Sequence, residues 1–320
     1  MHRFSLAVLM AFAVAASPTL GSASECPAAS GSVRVMVHAT NLITGRLNLA
    51  VKAGRSPDRQ ARALRELFEA AGCPQIREFG TRRKRDVTCT VPGTSDRIIV
   101  VGVNHRYDSV ASAALLPSLA EALAAAPRRH TYRWVGFSPH EVRGDRTKVT
   151  PKPKGAMRLL DGMSDEERAR VDVMVHIGPM GYGPFTVHPP QADQRLECAL
   201  ESAVQAGGME LVTEKIVAGG CPETGNLLSG HLPEGGCRGP DWSGGNDWLP
   251  FRRAGIPVFG VHSGSETKAG GKLDGRLYVR SYRALAVFLA LADEALAGAP
   301  PAANGAAASE SSGVAATSPR

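Results

Sequence analysis

Several chemistries are excluded by what this chain lacks. Beyond its first two dozen residues, no stretch approaches the about 18 uninterrupted apolar residues that a membrane-crossing helix needs, so no transmembrane segment is expected. There is no CxxC pair, which argues against a cysteine zinc site. There is no Gly-x-Ser-x-Gly elbow and no phosphate-binding loop, so serine hydrolase and nucleotide chemistry find no support. Aromatic residues make up only 5% of the chain. The main basic cluster, Arg82-Arg-Lys-Arg85, has none interleaved with it. Despite a formal net charge of +7, that cluster reads as a solvated loop, and no nucleic-acid partner is expected.

What is present begins with a leader. Arg3 supplies a positive start, Leu6 to Ala16 an apolar run, and Leu20-Gly-Ser-Ala23 a small-residue cleavage site. Residues 1–24 are therefore expected to be a signal peptide and the protein to be exported, periplasmic or secreted. All 6 cysteines lie beyond that point, and an even count in an oxidising compartment favours disulfides. Cys73 with Cys89 and Cys221 with Cys237 are the favoured short-range pairs, leaving Cys26 with Cys198. From Gly298 to Arg320 the composition is Ala, Ser, Gly and Pro, which predicts a disordered tail.

Residues 25–297 read as one α/β domain. Ser56-Pro-Asp opens a helix to Ala71 with Leu64, Leu67 and Phe68 on one buried face. Further helices are predicted at Ala111 to Ala126, Arg195 to Ala206, Asp247 to Ala254 and Leu277 to Ala297. Strands are predicted at Val33 to Ala39, Asp86 to Val91, Arg97 to Val103, Thr131 to Phe137, Val171 to Ile177, Glu210 to Val217 and Ile256 to Val261. Asp145 to Lys154 reads as a loop, and Ala218 to Gly245 as a long glycine-rich one. Several strands are apolar throughout, which implies a mostly parallel mixed sheet with helices on both faces.

Three of these strands end on reactive residues: His105, then His140 with Glu141, then His262. In an open α/β sheet, ligands sit outside the carboxyl ends of the strands. Imidazoles and a carboxylate delivered to that edge suit a metal or acid–base site. His176, inside an apolar strand, reads as a buried, hydrogen-bonded residue. His38, His130, His188 and His231 read as surface or loop residues. Trp242, Trp248 and Phe251 either line a substrate pocket over the site or anchor the loop.

The order of five segments resembles the zinc exopeptidase superfamily of the bacterial leucyl aminopeptidase and glutaminyl cyclase type. Its most specific part is NDWLPFRRAGIPVFGVH (246–262), similar to that family's Ser-Asp-His-x-Pro-Phe, then Ala-Gly-Ile-Pro and a strand ending in a ligand. The resemblance spans Asp58 to Leu296. It implies an α/β domain with a mixed sheet and zinc at the sheet's carboxyl edge, two ions in the aminopeptidases and one in the cyclases.

Residue by residue the correspondence is uneven. GVNHRYDS (102–109) matches Gly-Ala-His-Tyr-Asp-Ser with one residue inserted, so His105 stands one place early and Arg106 takes the ligand's place. A one-residue shift on a strand turns a side chain to the other face, unless a bulge restores it. Asp108 matches an aspartate that orients a ligand, and Asp247 matches the aspartate of Ser-Asp-His. The aspartate that bridges two metals has no counterpart, because Ser109 runs straight into a helix. FSPHEVRG (137–144) places Glu141 at the metal-binding glutamate and His140 at the catalytic glutamate. VHIGPMG (175–181) puts Gly178 where a metal-binding aspartate belongs. His262 matches the last metal-binding histidine.

Two readings follow from the resemblance. One is a catalytically impaired relative that binds a peptide or partner in the retained crevice. The other is a single-zinc hydrolase or cyclase acting on peptide amino termini, with zinc on His105, Glu141 and His262 and His140 as base.

Overall fold

A computed structural model describes residues 8–12, 33–54, 56–81, 84–105, 110–138, 154–188, 193–209, 211–213, 247–263 and 273–297. In chain order they form β1 (Val8–Phe12), β2 (Val33–Val37), α1 (Thr40–Lys52), α2 (Pro57–Ala70), β3 (Gln75–Thr81), β4 (Lys84–Val91) and β5 (Ile98–Asn104). Then come α3 (Val110–Ala124), β6 (Thr131–Phe137), α4 (Lys154–Asp161), α5 (Asp165–Ala169), β7 (Val171–Ile177) and β8 (Phe185–His188). The last are α6 (Gln194–Ala206), β9 (Leu211–Thr213), α7 (Leu249–Arg253), β10 (Val258–Ser263) and α8 (Gly275–Ala297).

The main sheet has 8 strands in the order β3-β4-β6-β5-β7-β10-β8-β9. Its centre is parallel: β6, β5, β7 and β10 run the same way. Antiparallel joins flank that centre, β4 on β6 at one side and β8 on β10 at the other. This is the expected single α/β domain with a mixed, mostly parallel sheet. The central strands are buried on both faces, which is why they read as continuous apolar runs rather than alternating ones.

The two faces carry separate cores. Ile99, Val101 and Val103 of β5, Tyr132 and Trp134 of β6 and Phe259 and Val261 of β10 pack with α1, α2, α3, α6 and α8. Val100, Val135, Phe137 and Met174 face the other way and pack with α4 and α7. Helix α2 shows how the sequence selects its layer. Ala61, Leu64, Leu67 and Phe68 recur at helical spacing and are all buried, each large one stabilising the fold by roughly 1.5–3 kcal/mol. Helix α3 differs, since nearly all its residues are buried between the sheet and its neighbours.

Besides β1, which falls in the segment read as a leader, four elements escaped the sequence reading. Helix α1 and strand β3 fell in segments without a strong pattern, α4 begins where the charged loop was expected to end, and β8 is only 4 residues long. Of the four histidines read as surface or loop residues, His38 and His130 do lie between elements, but neither is at the surface: His38 is 5% and His130 2% exposed. Both sit just ahead of an element and face a carboxylate on a helix, His38 toward Glu121 of α3 and His130 toward Asp293 of α8. His176 is buried within β7 as expected.

Cys73 and Cys89 form the predicted disulfide, with Cα atoms 6.0 Å apart. It joins the end of α2 to β4 across the β3–β4 hairpin. Cys198 is also disulfide-bonded; Cys26, Cys221 and Cys237 lie outside the described residues. Part of the predicted leader, Val8–Phe12, pairs antiparallel with β2. The expected cleavage point at residue 24, the loop from 218 to 245 and the tail from 298 lie outside the described residues.

Candidate functional site

The parallel centre brings the predicted site segments to one edge. Strands β5, β6, β7 and β10 are neighbours, so His105, Ser138, Gly178 and His262 all stand at their carboxyl ends. That edge is where open sheets of this type carry their ligand sites. A cleft of about 570 Å³, lined by Met157, Leu160, Arg168, Pro250 and Arg253, lies elsewhere, between α4, α5 and α7. His140, Glu141, Asp108 and Trp242 are outside the described residues.

The direction of each side chain follows from strand alternation. Odd-numbered residues of β5 face the larger core, and the ladder continues past the strand's end, because His105 N–H donates to the Phe137 carbonyl at 2.9 Å. His105 therefore faces that core too. Its ring borders a small cavity lined by Leu64, Leu67, Ala113 and Ala114. Gly136 leaves room for Leu64 beside it, since a Cβ there would stand 2.2 Å from Leu64 Cδ2.

The His105 imidazole is fixed chemically as well as sterically. Nε2 lies 2.9 Å from the Arg85 carbonyl, an oxygen that can only accept, so Nε2 carries the proton and Nδ1 the lone pair. Nδ1 is buried without a hydrogen-bond partner. Burial lowers the pKa below the ordinary histidine value, outweighing the Arg85 carbonyl and the Asp86 charge. His105 is thus a neutral imidazole in an apolar setting.

His262 is placed differently. On β10, Phe259 and Val261 belong to the larger core, so His262 projects from the opposite face. Strand β7 lies between β5 and β10, a separation of roughly 9–10 Å between their backbones. Two imidazoles sharing a zinc ion need Zn–N distances of about 2.0–2.1 Å. The structure brings His105 and His262 to one edge but not to one face.

The residue that does share the His262 face is Asn104, one position earlier. Its Nδ2 donates to Asp247 Oδ2 at 3.0 Å, with both residues buried. This bond ties the end of β5 to the turn that opens α7. Asp247 therefore stands beside the carboxyl end of β5. In the sequence Asn104 carries no signal of this role beside the more reactive His105.

Gly178 is packed, not merely small. Its N–H donates to the Val261 carbonyl at 2.7 Å, and its carbonyl accepts from Ser112 Oγ at 2.6 Å. A Cβ at this position would lie 2.9 Å from His262 Cβ. An aspartate there would have to displace His262. Phe251, considered as a pocket residue, is fully buried against Phe137 with ring centroids 6.4 Å apart. It is a core residue, because α7 tucks its apolar side under the sheet, while Trp248 packs partly buried beside that cluster.

A second residue missed from sequence holds the exit of β6. Asp86 is fully buried, accepts the Ser138 N–H at 2.6 Å, and binds Arg158 Nε at 2.9 Å. Ser138 is the last described residue before His140 and Glu141. Its signal in the sequence was an acidic residue inside a strand, a position that demands a partner.

Of the expected metal-holding residues, His105 and His262 are described and Glu141 is not. Among the described residues, no three His, Cys, Asp or Glu side chains are grouped to hold an ion. His105 turns its one lone pair toward the larger core, and Gly178 packs closely against His262.

No protein-family model matches this chain, and no curated protein matches it either. Solved structures do. Glutaminyl cyclase from Porphyromonas gingivalis aligns with 78% of this chain and 97% of its own, at 9% identity and a TM-score of 0.56. Glutaminyl cyclase from Fimbriiglobus ruber aligns with 79% of this chain and 95% of its own, at 14% identity and a TM-score of 0.56. BSAP, a zinc aminopeptidase from Bacillus subtilis, aligns over 65% of this chain at 14% identity and a TM-score of 0.46, and the chain spans only 50% of that protein. The architecture built strand by strand above is therefore the fold of the glutaminyl cyclases, the fold the sequence resemblance implied.

Proposed function

We propose that this protein is an exported relative of the zinc aminopeptidase and glutaminyl cyclase superfamily that has lost the paired-metal centre and binds a peptide or partner at the sheet's carboxyl edge. The observation that carries this reading is the opposed placement of His105 and His262 on the two faces of the sheet. The packing of Gly178 against His262 supports it, since an acidic side chain there would have to push His262 aside. A two-metal clamp needs a shared carboxylate between ions about 3.5–4 Å apart, and none is available among these residues.

A second reading keeps one ion. Near-full-length alignment with glutaminyl cyclases favours it, because a one-metal centre needs fewer ligands. Glu141 and His262 would then hold zinc, with His140 as the neighbouring base, and the zinc would polarise a peptide carbonyl. His105 takes no part in this version.

Zinc analysis of the purified protein, together with assays on aminoacyl arylamides and on amino-terminal glutamine peptides, separates the two. The first reading expects substoichiometric zinc and no chelator-sensitive turnover. Turnover abolished by a chelator and by Glu141→Ala would establish the second in its place. Gly178→Asp is expected to lower stability without raising zinc content, as read by melting and metal analysis.

A further inference from the structure

The amino-terminal ends of the central strands, opposite the candidate site, carry a buried charge cluster. His130 stands just before β6, Arg97 just before β5, Asp172 at the start of β7, and Asp293 near the end of α8. His130 Nδ1 lies 2.8 Å from Asp293 Oδ1, and Nε2 lies 3.0 Å from Asp172 Oδ2. Asp293 also accepts the backbone N–H groups of His130 at 2.8 Å and Arg129 at 3.0 Å. Arg97 Nε donates to Asp172 at 2.9 Å, and its second nitrogen contacts the other carboxylate oxygen. The His130 and Asp293 side chains are 2% and 0% exposed.

We propose that His130 is a proton-dependent clasp whose imidazolium, donating from both ring nitrogens, fastens α8 to the starts of β6 and β7. The geometry demands two protons on the ring. Each nitrogen faces a carboxylate oxygen, and a carboxylate can only accept. With both present, the charges of His130 and Arg97 balance those of Asp172 and Asp293. Removing one proton leaves a nitrogen lone pair against an oxygen lone pair and an uncompensated charge out of water.

The surroundings favour the closed form. Burial opposes the charged ring, but the bonds to Asp172 and Asp293 outweigh it and bring the His130 pKa up to about 9. Burial likewise opposes both carboxylates. For Asp172 the bonds from His130 and Arg97 outweigh it, for Asp293 the His130 ring and the backbone N–H groups of His130 and Arg129 do, and both are held below the ordinary range. The other charged groups nearby are already engaged. Arg129 pairs with Glu294, Arg128 donates to the Leu123 and Arg34 carbonyls, and Arg195 of α6 pairs with Asp193 while adding its field at Asp172. The Tyr132 phenol donates to the Leu289 carbonyl and stays neutral.

The sign follows from the raised histidine. Its contribution is complete below the unfolded-state value near 6.5 and is lost as pH rises through about 9. The two carboxylates contribute above the unfolded value of 3.8 and lose their part as pH falls through their lower folded values.

Thermal unfolding of the full chain across pH, wild type against His130→Gln, tests this. Glutamine can donate to one carboxylate but carries no charge. The wild-type melting temperature is expected to fall by roughly 3–5 °C between about pH 8 and pH 10, while the variant starts lower and stays flatter there. Parallel profiles would overturn the proposal. Should the variant fail to fold, nitrogen NMR of the wild-type ring decides: both nitrogens protonated at about pH 7.5 supports the clasp, and a single neutral tautomer refutes it.

Discussion

Replacing Asp86 by alanine is expected to cost about 3 kcal/mol of folding stability, read as the shift in a denaturant unfolding curve. Asp86 is fully buried in β4 and answers three donors at once: Ser138 N–H and two nitrogens of Arg158. Breaking a buried pair from one side strands the other charge, which typically costs about 3–5 kcal/mol. Arg158 is 27% exposed and regains some hydration, which sets the estimate at the low end. The double variant Asp86→Leu with Arg158→Met should recover part of the loss, since removing both partners leaves no lone charge. A full 3 kcal/mol loss in the double variant would mean that the Ser138 bond, not the ion pair, carries the effect. Either way the exit of β6, two residues ahead of His140, depends on this carboxylate.

Replacing Cys73 and Cys89 together by serine should cost about 3 kcal/mol, the loop-closure value for a separation of 16 residues. The hairpin β3–β4 already places the two side chains near each other through seven register pairs, from Gln75 with Thr90 to Thr81 with Lys84. The bond therefore acts chiefly by restricting the unfolded chain. Reductant added to the native protein should reproduce the loss of stability once the bond opens. An unchanged unfolding midpoint in the double variant would show that the hairpin alone accounts for the local order.

The core strands were legible because burial on both faces leaves a mark: Ile98 to Val103 and Val171 to Ile177 are apolar almost without a break. Thr131–Phe137 was found to its exact ends. Helix α2 announced itself by its cap proline and periodic leucines. Strand β3 did not, since QIREFGT sits at the sheet's edge and is mostly polar. For the candidate site, the sequence located the edge and the one-place displacement of His105. It did not reveal which face that displacement selects, because Asn104 and His105 are both polar and only their neighbours across the sheet distinguish them. The His130 cluster was invisible for a similar reason. Its members come from positions 97, 130, 172 and 293, and nothing local to any of them foretells the meeting.

The strand order also governs how the molecule can be assembled on the ribosome. Strand β10 inserts between β7 and β8 although it is made long after both. Until residue 258 emerges, β7 has a bare hydrogen-bonding edge flanked by apolar surface, the kind of template that recruits stray strands. Chains cut short ahead of that point should aggregate instead of folding, so newly made copies need shelter until almost the whole polypeptide is finished.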